Sequence, residues 1–77
     1  MSPPELLRVV LEQARQRGMR FDRAWRLALN RLPRHLPGLC EDELIAWWMI
    51  FDEQADIWRA CYERRAVEEG APLQLAA

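Results

Sequence analysis

Apolar residues recur at spacings of three and four in three stretches of this chain, the period of a helix rather than a strand. In the first, Leu7, Val10, Leu11 and Ala14 share a stripe, and in the second Phe21, Ala24, Trp25, Ala28, Leu29 and Leu32 repeat it over three turns. The third runs from Glu41 to Glu69 and is the richest. At about 100° per residue it lines up Leu44, Trp48, Phe51, Ala55, Trp58 and Tyr62, with Trp47, Ile50, Ile57 and Cys61 on an arc beside them. An apolar sector of that width is expected to touch two neighbouring helices. Ile45 and Met49 fall on the remaining side, so the first two turns of this helix are apolar all round. Leu27 is placed towards solvent.

The stop and start signals agree with this division. Ser2-Pro3-Pro4-Glu5 reads as an N-cap, a proline in the first turn and the acid of a capping box. Gly18 is placed to end the first helix, and Pro33 disfavours a helical residue before it, so the second helix is expected to stop at Leu32. Pro33 to Cys40 then forms an eight-residue connection. Glu41, Asp42 and Glu43 meet the positive end of the third helix dipole, and Gly70 and Pro72 close it. Asp52 could cap a new helix there, but one continuous helix is the expected form. The chain therefore predicts an all-α fold, a small three-helix domain with a long C-terminal helix as its spine, spanning about 3 to 17, 21 to 32 and 41 to 69. Residues 1 to 70 form the single domain and 71 to 77 a flexible C-terminal tail. A strand over Ile45 to Phe51 is the rival, and it has no convincing partner strand.

Charge alters this picture only in its distribution. The 77 residues carry eleven basic and twelve acidic side chains, a formal net charge of −1. Every basic residue is arginine; residues 8 to 34 hold eight of them, and residues 35 to 56 hold six acids and none. Two such halves attract each other within one molecule or between two. The longest apolar run is far too short to cross a membrane, and the first residues lack a signal-peptide pattern. A cytoplasmic protein with free thiols at Cys40 and Cys61 is expected.

Candidate chemistry is sparse. The single histidine, His35, could meet Cys40 in the connection, but nothing nearby supplies the lowered thiol pKa that reactivity requires. The same residues match no compact zinc spacing. No enzyme, metal or cofactor is expected. What stands out is the pair Trp47 and Trp48, whose side chains leave a helix about 100° apart, so one core can hardly take both from one direction. Ile45, Trp47, Trp48 and Met49 are accordingly the candidate protein-binding residues, with the chain itself or a host protein as partner. The alternative is nucleic acid, with Arg23, Arg26, Arg31 and Arg34 contacting phosphates. It is the weaker reading, because a recognition helix opening on Glu41-Asp42-Glu43 would repel the backbone.

Phe21-Asp22-Arg23-Ala24-Trp25-Arg26-Leu27-Ala28-Leu29, followed by Trp58-Arg59-Ala60-Cys61-Tyr62-Glu63-Arg64, resembles small helical proteins encoded by actinobacterial phages and mobile elements. These are similar in an F-D-x-A-W-x-x-A-L segment and a W-x-x-x-Y-E-R helix end. The resemblance covers about half the chain and implies a short accessory protein, with no catalytic residue to carry over.

Overall fold

The computed structural model describes residues 1 to 70, and the tail expected over 71 to 77 lies outside them. Three helices follow one another: α1 (Pro3–Gln16), α2 (Phe21–His35) and α3 (Glu41–Glu68). No strand occurs among the described residues. The spine is unbroken through Asp52, and its 28 residues set the 39 Å long axis of the molecule. Helix α1 runs in the sense of α3, because Arg15 near its end reaches Glu69 at the end of α3. Helix α2 runs the other way, with Asp22 beside Arg59 and Leu29 beside Trp48.

Local chemistry fixes the ends. The Ser2 hydroxyl accepts from the Glu5 N–H and donates to its carboxylate. At the far end of α1, Gly18 adopts φ 76°, a left-handed conformation that glycine takes without a Cβ clash. There the Met19 N–H bonds to the Ala14 carbonyl and the Gly18 N–H to that of Arg15, which satisfies carbonyls the helix end would otherwise orphan.

Helix α2 does not end at Leu32. It continues through Pro33 to His35, and the connection shrinks to residues 36 to 40. Pro33 has no N–H to give the Leu29 carbonyl one turn back. The Trp48 indole N–H donates to that carbonyl instead, at 3.1 Å. A tertiary contact thus fills the bond that the local sequence removes, and the helix survives its proline.

The core lies where the three helices meet. Leu7, Val10, Leu11 and Ala14 of α1 pack with Phe21, Ala24, Ala28 and Leu32 of α2 and with Phe51 and Tyr62 of α3. Six aromatic rings are linked within it. Phe51 stacks on Trp47 and meets Trp25 and Trp58 edge-on, and Phe21 stacks on Trp25 and meets Tyr62 edge-on. Offset and edge contacts of this kind add about 0.5 to 1.5 kcal/mol each beyond buried area. Leu27, placed towards solvent by the helical wheel, is half-buried against this cluster, since α2 sinks further between its neighbours than a one-sided stripe implies.

Candidate functional site

Helix α3 is docked on one side and bare on the other. Its stripe Leu44, Trp48, Phe51, Ala55, Trp58 and Tyr62 is buried or half-buried. Two ties join its C-terminal half to the end of α1 and the turn that follows it. The Tyr62 hydroxyl donates to the Met19 carbonyl in the turn after α1, and burial pushes the phenol pKa up against the opposing influence of Arg15. Arg15 is 4% exposed, and its guanidinium forks onto Glu69 at 2.9 and 3.2 Å while lying 5.9 Å from the Tyr62 ring centre. The fork, more than the accompanying charge attraction, raises the Arg15 pKa and holds the Glu69 carboxyl below its ordinary range. A buried cation is tolerable only when paired in this way.

The structure divides the candidate residues between the two sides of α3. Ile45 and Met49 are 44% and 62% exposed. Trp47 and Trp48 are both half-buried, but in different ways. Trp48 turns inward to Leu29, with its one donor engaged. Trp47 lies on Phe51 at 5.4 Å between ring centres and forms the edge of the core next to bare helix. The arc expected against a second neighbour is uncovered: Ile50 is 40% exposed, Ile57 is 67% exposed, and Cys61 is also exposed. Both α1 and α2 sit on the first stripe. Between α1 and α3 this leaves a groove of about 570 Å³, walled by Arg8 and Leu11 and floored by Gln54, Ile57, Trp58 and Cys61.

At the start of α3 the Glu43 carboxylate accepts from the Cys40 N–H at 3.2 Å. The Cys40 thiol, and after it this N–H, hold the Glu43 carboxyl below the usual range. Cys40 is therefore occupied in a helix cap. Among the described residues no group of three or more His, Cys, Asp or Glu could hold a metal ion, and no helix is long and apolar enough to cross a membrane.

The arginine candidates lie together. Arg23, Arg26 and Arg34 are exposed on the outer face of α2, with Arg31 half-buried at its border. None of the four forms an ion pair among the described residues. Arg59 of α3 does, with Asp22 at 2.7 Å, and it covers the Phe21 ring at 4.9 Å. Sequence reading placed Ile45 and Met49 outside the main stripe, where they are exposed, but expected Ile50 and Ile57 to be covered and missed the Arg15–Glu69 fork and the groove. Helical spacing puts Arg15 one turn on from buried Leu11, but its charge reads as solvent-facing until Glu69, 54 positions away, is seen to pair with it.

No protein-family model, curated protein or solved structure matches this chain.

Proposed function

We propose that this chain is a small accessory protein that acts by binding protein, a second copy of itself first, through the bare side of α3. One observation carries the reading: of seven large hydrophobic side chains exposed among the described residues, five (Ile45, Met49, Ile50, Ile57 and Val67) lie on this one helix. Exposed apolar side chains concentrated on one element in this way mark an interaction site more often than singly scattered ones do. Ile45, Met49 and Trp47 are the anchors, and Trp48, tied to α2, holds the helix beneath them in place. The accessory role implied by the phage-type resemblance suits a protein with such a binding face.

Light scattering over a wide concentration range tests this. Mass should rise towards a dimer, and Met49→Asp or Ile57→Asp should lower it while far-UV circular dichroism stays helical. A wild-type chain that remains monomeric at every concentration, or a dimer indifferent to both substitutions, would refute the reading.

The arginines of α2 that form no ion pair among the described residues favour a second reading, nucleic-acid binding. It requires affinity that falls steeply with salt and with Arg23→Ala or Arg26→Ala. Absence of binding to DNA and RNA at low salt removes it.

A further inference from the structure

We infer that a second copy covers Ile45 and Met49 by laying the arginine face of its α2 along the acidic flank of α3, about a two-fold axis parallel to the helices; this rests on the self-association proposed above. Helix α1 takes the flank of α3 along the groove at Gln54 and Cys61, and α2 takes the flank at Arg59. Away from α1, α2 and α3 therefore present two neighbouring stripes to solvent, and their charges are opposite. On α2 the stripe is Arg23, Arg26, Asn30, Pro33 and Arg34, all exposed. The one acid of that helix, Asp22, is already held by Arg59. On α3, at about 100° per residue, Met49 stands at the middle of the stripe, with Ile45, Asp52, Glu53 and Asp56 around it and Asp42 before it, all exposed.

Neither stripe is neutralised within one molecule. Arg23, Arg26 and Arg34 form no ion pair among the described residues, and neither do Asp42, Asp52, Glu53 and Asp56. With the helices of both copies aligned, two such faces can stack about a two-fold in two ways. An axis across the helices sets α2 on α2 and α3 on α3, arginine against arginine and acid against acid. An axis along them sets each α2 on the other copy's α3, so that opposite charges meet and every contact occurs twice. That axis also fixes the register, because it leaves each residue at its own height along the helices. Trp25 packs against Phe51 at 6.3 Å and Trp58 at 5.9 Å between ring centres, so Arg26 is level with Asp52 and Glu53. Because α2 and α3 are antiparallel, Arg23 is level with Asp56, and Asn30 and Pro33 with Met49 and Ile45, in keeping with the bond from Trp48 to the Leu29 carbonyl. Arg34 reaches the start of α3 at Asp42. Across the two-fold, arginines meet acids at both ends of the contact, and the exposed Ile45 and Met49 meet the uncharged Asn30 and Pro33 between them.

Charge reversal with mixing tests this in the full chain. Arg23→Glu with Arg26→Glu, and separately Asp52→Arg with Asp56→Arg, should each weaken self-association about thirtyfold, since four exposed pairs are lost per dimer. An equimolar mixture of the two doubly substituted chains should dimerise at about wild-type strength, because one contact is then wild type and the other is reversed on both sides. Wild-type association should weaken as salt rises. In an arm without charge changes, Asn30→Cys and Met49→Cys, each with Cys40→Ser and Cys61→Ser, should form a disulfide when mixed and oxidised, and neither should link to itself. If a reversal unfolds its chain by far-UV circular dichroism, the disulfide arm decides alone. A dimer indifferent to both reversals, helical chains that do not recover on mixing, self-linking at position 30 or 49, or a mass that grows beyond the dimer overturns this arrangement and leaves self-association standing. A wild-type chain that is monomeric throughout overturns both.

Discussion

The proline inside α2 survives because an indole from another helix completes its hydrogen bonding, and a double-mutant cycle at Pro33 and Trp48 measures that dependence. Replacing Trp48 by Phe keeps an aromatic ring but removes the donor to Leu29. The partly buried carbonyl then has neither the indole nor a backbone N–H at position 33, which costs about 1 kcal/mol, the lower end for an unsatisfied buried acceptor. The smaller ring also forfeits about 40 Å² of apolar contact, worth about 1 kcal/mol at ~25 cal/mol per Å². Trp48→Phe should therefore destabilise the chain by about 2 kcal/mol, and in a domain of this size each kcal/mol lowers Tm by about 4 to 8 °C. Pro33→Ala supplies the missing N–H. In that background Trp48→Phe should cost only the packing part, about 1 kcal/mol, leaving a coupling of about 1 kcal/mol between the two sites. Urea unfolding of the four proteins, followed by far-UV circular dichroism, gives the cycle directly. Costs for Trp48→Phe that agree within ~0.3 kcal/mol in the two backgrounds would refute the reasoning, because the indole would then serve no bond that the proline vacates.

Two other ties can be tested in the same way. The Glu69 carboxyl has a lower pKa folded than unfolded because Arg15 holds its charged form, so its contribution is complete above the unfolded value of about 4.3 and is lost as pH falls through the folded one. Unfolding free energies of the wild type and Glu69→Gln should accordingly differ at neutral pH and converge in acid; a constant gap would mean that the fork is not what the substitution removes. Tyr62→Phe deletes the hydroxyl that reaches Met19 and should cost about 1 kcal/mol, read as a Tm loss of about 4 to 8 °C. An unchanged Tm would show that water serves the Met19 carbonyl equally well.

The three helices were legible because their apolar residues keep helical spacing, and because Ser2, Gly18 and the acids 41 to 43 are local signals that need no partner. The end of α2 was not legible. Pro33 is a stop signal in every local rule, and what overrides it comes from Trp48, in the next helix. The same limit applied to the bare face of α3. Ile45 and Met49 could be seen to lie outside the main stripe, but Ile50, Ile57 and Cys61 looked like a second buried arc, because a helical wheel gives the width of an apolar sector and not which part a neighbour covers. The four-three spacing through Trp47, Ile50, Gln54, Ile57 and Cys61 was visible in the sequence. Only their exposure distinguishes it from core.

The ties between α3 and the start of the chain also bear on the order in which the fold is built and lost. Helices α1 and α2 are joined by a short turn and can meet at little entropic expense. Arg15 and Glu69 are 54 positions apart, and Tyr62 and Met19 are 43, so those bonds close large loops before they return anything. Assembly should proceed as a local α1–α2 hairpin followed by late capture of α3, and unfolding should begin with the release of that spine. Amide exchange would show this as one slow cooperative unit along the docked stretch of α3, with Trp25 and Phe21 uncovered whenever it opens. The aromatic cluster is then a clasp shared between two independently formed pieces, and the rate at which it opens sets how long the α1–α2 hairpin stays protected.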